Sequence, residues 1–343
     1  MVFYLLLALP AQAVIVENLY RAEVDVADHS SRELDKATRA GLAQVLVKVS
    51  GSGTVLQDDE MRAALNRSER YMQRYQYLRQ PDRSLRLQIH YDAQLVTELL
   101  TGAQQPLWTA NRPPVLIWLV LDDGRDRSLV SADTQPELVA ALNKELGRRG
   151  VPAVFPLQDL QDAVALGVYE LWRLDRLAIY RASQRYGVGN ILVGRITALS
   201  DGRWMGDWLY LHEDTDSATS FYGKELEEFS AEGIDFVADH MAQRYAVAAG
   251  TSQDKAVLIR VDALSKYSDY REVLAYFEGI ELVDAAWPAY VQGSSIVFRL
   301  QAQAEAEQLH RIFALNRKLQ RLESPTPLPR GPIDTQLTYR WSR

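Results

Sequence analysis

At 343 residues the chain is long enough to bury more than one core, and 47% hydrophobic with 24% charged residues is the balance of a globular protein. Cysteine is absent, which excludes disulfides, thiolate metal sites, a cysteine nucleophile and a lipid-modified N-terminal cysteine. The net charge of -7 gathers in residues 113–250, where 21 acidic side chains face 13 basic ones, so no basic stripe exists to follow a nucleic-acid backbone.

Val2 to Leu9 is an apolar run too short to span a bilayer, and Ala11-Gln12-Ala13 follows it as a small-x-small cleavage site. Residues 1–13 therefore read as a secretory signal peptide, and the expected product is a soluble periplasmic protein with no transmembrane segment and no lipid anchor. No Lys or Arg precedes the run, which points to a start upstream of Met1 or to a trimmed sequence. A buried first strand is the competing reading.

Val14 to Val26 alternates as a strand does. Ser30 and Glu33 have capping-box spacing, and Leu34, Ala37, Gly41, Leu42, Val45 and Val49 trace the apolar stripe of a helix. Ser50-Gly51-Ser52-Gly53 ends it. Phosphate cradles lie after a strand and before a helix, so this Gly-Ser stretch reads as a C-cap. Asp58 to Asn66 is a short helix, Tyr71 to Leu78 and Leu85 to Tyr91 are strands around a turn at residues 80–84, and Gln94 to Gly102 is a helix. The Arg and Tyr mixture from Arg70 to Arg79 fits a two-faced strand with arginines on the wet side rather than a nucleic-acid surface. Residues 14–105 are thus expected to form a small α+β domain. Pro106 to Pro114 is a stiff crossing segment, with Trp108 buried.

Residues 106–250 read as an α/β sheet domain with a β-meander. Val115 to Leu121 is a continuous apolar strand, the pattern of a strand covered on both faces. Thr134 and Glu137 have capping-box spacing around Pro136, and the helix that follows buries Leu138, Ala141, Leu142 and Leu146 and stops at Gly150. Val151 to Phe155 is a short strand, and one long helix is expected from about Tyr169 to Tyr186. Asn190 to Ile196, Trp204 to Leu211 and Thr219 to Leu226 make the meander, with Asp201-Gly202 at its first turn. A helix over about Ala231 to Ala249 closes the domain.

Here a resemblance enters. The run Pro106 to Trp118, Arg149-Gly150-Val151-Pro152, Pro156 to Leu160, Ala182 to Tyr186 and Leu192-Val193-Gly194-Arg195 together resemble the proteobacterial envelope family known as domain of unknown function 2066. The resemblance runs from about Val14 to Gly250. It implies a secreted location and no known activity. The central domain is also loosely similar to the α/β domains of curli-secretion lipoproteins, of penicillin-binding-protein activators and of the N-terminal part of the Tol translocation protein. Those relatives imply partners among other envelope proteins.

Thr251 to Lys255 is a polar linker. Residues 251–343 then give strand Ala256–Ala263, helix Ser268–Phe277, strands Glu281–Ala285 and Ser295–Ala302, helix Glu305–Leu322 and, after a proline-rich segment, strand Thr335–Trp341. That is the ferredoxin-like βαββαβ order. Ile296 to Leu300 lack the aromatic set that RNA-binding versions need.

No catalytic constellation emerges. The five histidines make no His-x-x-x-His pair, and Ser183 lies inside a helix rather than on a nucleophile elbow. His212-Glu213-Asp214-Thr215-Asp216 is the densest set of metal-ligand types, but it lacks the mid-loop Gly and bidentate Glu of a calcium loop and reads as a solvated hairpin tip. No metal or cofactor is expected. The candidate ligand-binding residues are Arg112, Arg127, Arg181, Arg185 and Arg195 with Asp159, Asp162 and Trp204, and the resemblance implies that the charged ones match motif residues of that family. Arg181 and Arg185 are spaced to share a helix face. The charged set would form either an ion-pair network or an anion site, and the tryptophans either packing or an aromatic cleft. The leading expectation is a non-enzymatic adaptor for envelope proteins, against a binding protein for a small anionic ligand and, third, a hydrolase whose residues converge only in space.

Overall fold

The apolar run beginning at Val115 lies in the middle of a mixed sheet in the computed structural model, which describes residues 14–81, 83–213, 215–248, 256–315, 318–322 and 335–342. The proposed signal peptide at 1–13, the linker at 251–255, the proline-rich segment and Asp214 lie outside the described residues. The fold is of the α/β and α+β class. It forms two compact units, one of residues 112–241 and one of residues 17–111 with 242–343.

In the first unit the strand order is Thr215–Gly223, Trp204–His212, Asn190–Ala198, Val115–Asp122. The short strands Arg127–Leu129 and Ala153–Val154 both flank Val115–Asp122 on its far side. Val115–Asp122 and Asn190–Ala198 run parallel, from Val115 opposite Asn190 to Asp122 opposite Thr197. Every residue from Val115 to Leu121 is buried, as a strand with both faces covered requires. On one face Leu116, Trp118, Val120, Val193, Leu209 and Leu211 pack against Leu166, Leu171, Ile179 and Ala182 of the helical segments between residues 160 and 186. On the other, Trp208 stacks on Phe229 with ring centres 4.4 Å apart, and its Nε1 donates to the Phe229 carbonyl in the helix Leu226–Tyr245.

Two local expectations change. Thr134 does not cap the helix Pro136–Arg149; its hydroxyl is engaged with Ser131 in a turn, and Gln135 takes the cap position without a side-chain bond. The single helix expected from Tyr169 to Tyr186 is three pieces: Val168–Trp172, Arg176–Ser183 and the 3-10 turn Gln184–Tyr186. Leu174 at φ 55° makes the first break, and the Asp175 carboxylate accepts from the Ala178 N–H to restart the helix.

In the second unit, Arg21–Val26, Leu85–Tyr91 and Met72–Arg79 form an antiparallel sheet in that order. The helix Ser31–Ser50 buries Leu42, Val45, Leu46 and Val49, and Tyr91 donates its hydroxyl to the Thr38 carbonyl at 2.6 Å. Ser30 caps this helix, Glu33 reaches back to the Ala27 N–H, and Gly51 ends it at φ 80°. A five-stranded sheet follows the order Val283–Gln292, Ser295–Ala302, Val257–Asp262, Leu337–Trp341, Leu319–Arg321. The expected βαββα order holds, but the second helix ends at Ala314 and Leu319–Arg321 is a strand. That added reversal sends Leu337–Trp341 into the sheet parallel to Val257–Asp262, where an antiparallel ferredoxin-like sheet would have its last strand run the other way.

Candidate functional site

Open α/β sheets present ligands at the carboxyl ends of their parallel strands. Here that end is built from Asp122, Arg127, Trp172, Arg195 and Asp207. Arg195 and Asp207 are cross-strand partners, and Arg195 Nε donates to Asp207 Oδ2 at 2.7 Å. Arg195 also donates to the Trp172 carbonyl at 3.0 Å, and Ser220 donates its hydroxyl to Asp207 Oδ1 at 2.6 Å. Arg127 donates to Asp122 at 2.9 Å, and its guanidinium lies 4.1 Å from the centre of the Trp172 ring. The Arg195 guanidinium is 5.9 Å from the same ring. Burial works against ionisation of Asp207, but the bonds from Ser220 and Arg195 outweigh it and hold the carboxyl below its usual range. The Arg127 bond does the same for Asp122.

A second network joins residues 157–162 to the turn at 184–186. Asp159 caps the helix Leu160–Ala165 by accepting from the Asp162 N–H. Arg185 grips both Asp159 oxygens, at 2.7 and 2.9 Å, and reaches Asp162 at 2.8 Å. Asp162 is fully buried, and it also accepts from the Tyr186 hydroxyl at 2.6 Å and from the Gln158 N–H at 2.9 Å. Burial first, and then the bond to Asp162, push the Tyr186 phenol up to about 12. Both carboxylates of this network are thus occupied by Arg185.

The remaining candidates stand apart. Arg112 is fully buried and donates to the carbonyls of Arg149 and Gly150, both at 2.9 Å. It thereby places a positive charge at the C-terminus of the helix Pro136–Arg149. Arg181 is exposed, and the helix that carries it stops before Arg185. Trp204 is half-buried at the start of its strand, opposite Ala198 and Gly223. Among the described residues no three His, Asp or Glu side chains converge as a metal centre would need.

Two features lay outside the sequence reading. Arg149 is buried and clamps Asp235 at 2.6 Å and Asp239 at 2.7 Å, one helical turn apart on Leu226–Tyr245. The four-residue spacing of Asp235 and Asp239, off the Ile234, Val237 and Met241 stripe, was the available signal. The other is an apolar outer surface on the helical segments. Leu160 and Val164 are each 81% exposed, and Leu157, Tyr169, Leu177 and Tyr180 are exposed with them. The helices Leu160–Ala165 and Arg176–Ser183 pack on each other, and each turns a pair of large apolar side chains to solvent.

Residues 13–109 match a family model described as a domain of unknown function, DUF8605. No curated protein matches the chain. No described helix is long and apolar enough to cross a membrane.

Proposed function

We propose that this is a secreted, non-enzymatic envelope protein that works by binding other envelope proteins through the exposed face of its helical segments between Leu157 and Tyr180. Three domains, 14–105, 106–250 and 251–343, follow the signal peptide in this reading, and the resemblance to the envelope family of unknown function 2066 belongs to it. The observation that carries it is the exposure of six large apolar side chains within 24 residues. Contiguous exposed apolar surface marks interaction sites, and the helices Leu160–Ala165 and Arg176–Ser183, which carry four of the six, pack on each other. The acidic balance of residues 113–250 favours a partner whose apolar contact is rimmed by basic side chains. A small anionic ligand, the competing reading, would have to displace carboxylates from Arg127, Arg185 and Arg195.

Photocrosslinking in living cells tests it, with benzoylphenylalanine placed at Val164 and, as a control, at exposed Lys144. A recurrent adduct from position 164, absent from 144 and abolished by Leu160→Glu, is the expected result. No adduct above background at 164, or one indifferent to Leu160→Glu, would overturn it.

A further inference from the structure

An edge strand exposes a row of unpaired backbone groups, and proteins blunt such edges with charge, proline, bulges or brevity. Most edges here are blunted. Arg21–Val26 alternates Arg21, Glu23 and Asp25. Met72–Arg79 carries Arg74 and Arg79 and a register shift. Val283–Gln292 has Pro288 and two register shifts. Arg127–Leu129 and Leu319–Arg321 are three residues long.

Thr215–Gly223 has no proline and no bulge, and it is not short. It is nine residues long and pairs with Trp204–His212 at every position without a shift. No described strand lies on its other side. Asp216 is its one charged residue. Phe221 is buried and packs edge-on against Phe229, so the strand is held in place before any partner arrives.

We propose that Thr215–Gly223 pairs antiparallel with the same strand of a second copy, joining two sheets into one about a two-fold axis at Thr219. The register follows from the residues. Thr219 meets itself, Ala218 meets Ser220, Ser217 meets Phe221 and Asp216 meets Tyr222, so no like charges face each other. The Arg203 guanidinium lies 4.7 Å from the centre of the Tyr222 ring. Within each copy Asp216 is paired with Arg176 and Arg203 with Asp201, so the charges at both ends of the joint are already balanced when the strands meet. Ser217, Ala218 and Ser220 are small enough to let the two sheet faces continue without a clash.

The cysteine-free chain allows a direct test. Residues directly opposite in an antiparallel pair have Cα atoms about 4.5–5.5 Å apart, inside the span of a disulfide. Thr219→Cys, as the sole cysteine, should give a covalent dimer under mild oxidation at least about tenfold faster than Lys144→Cys. Sedimentation of the full chain should show a dimer. Ala218→Lys should raise its dissociation constant about tenfold or more, and Ala218→Glu should do likewise, since either charge is repeated across the axis. A monomer at every concentration would overturn the proposal. So would a dimer indifferent to both Ala218 variants, or equal crosslinking rates at 219 and 144.

Discussion

Arg112 Nη1 lies 2.9 Å from the carbonyl oxygen of Gly150, so a fully buried cation sits where the dipole of the helix Pro136–Arg149 ends. Replacing it by methionine keeps much of the packing volume but strands the Arg149 and Gly150 carbonyls. Arg112→Met should lower stability by about 2–3 kcal/mol, seen as a lower urea midpoint at unchanged slope. An unchanged midpoint would mean that water replaces the guanidinium without loss.

The Arg185 grip on Asp159 makes stability pH-dependent. Its two bonds, and then the Asp162 N–H, hold the Asp159 carboxyl well below the usual carboxylate range. A group with a depressed folded-state pKa contributes stability above its unfolded pKa of about 4 and loses it as the pH falls through the folded value. Asp159→Asn should therefore be less stable than the parent at pH 7. Its melting temperature should fall less steeply below about pH 4. Parallel curves for the two proteins would contradict this.

Gly233 in the helix Leu226–Tyr245 faces the Trp208 indole so closely that an added Cβ would lie 2.1 Å from Cε2. Alanine is the better helix former by about 1 kcal/mol, yet the clash with a buried ring dominates. Gly233→Ala should destabilise by about 1–3 kcal/mol, and the displacement of Trp208 should appear as a change in near-ultraviolet circular dichroism.

Trp118 donates its Nε1–H to the Ser183 hydroxyl at 3.0 Å, and the Ser183 hydroxyl in turn donates to the Ile179 carbonyl at 2.7 Å. Ser183→Ala leaves a buried indole N–H without that acceptor and should cost about 1–3 kcal/mol. In Trp118→Phe that donor is gone, so the same serine change should cost about 1 kcal/mol less there. Additive effects would show that the bond carries no coupling.

Local signals along the chain proved readable where the chemistry was local. Ser30 caps its helix, Gly51 and Gly150 end theirs in the left-handed region, and Asp201-Gly202 turns the hairpin. Thr134 and Glu137 had the spacing of a capping box, but Ser131 competes for the Thr134 hydroxyl. The break at Leu174 has no glycine or proline to announce it, and only the restart at Asp175 explains it. The candidate charges were found as residue types, but their partners lie along the chain beyond local pattern: Arg185 with Asp159, Arg195 with Asp207. Composition shows that such arginines exist, and only the fold decides which carboxylate meets each. The exposed pair Leu160 and Val164 was hidden for the opposite reason, because apolar residues in a short helix read as core.

The parallel pairing of Val115–Asp122 with Asn190–Ala198 has a consequence for how the chain comes into being. The most apolar strand in the sheet is synthesised first, while its neighbour emerges only after the helical segments between Pro136 and Ser183 have been made. Its hairpin relatives Asn190–Ala198, Trp204–His212 and Thr215–Gly223 close over short turns and can zip locally. Val115 to Leu121 can close locally only at its carboxyl end, on the three residues Arg127–Leu129. During its wait it is a bare hydrophobic segment, and it is the stretch that a holding chaperone would have most reason to cover.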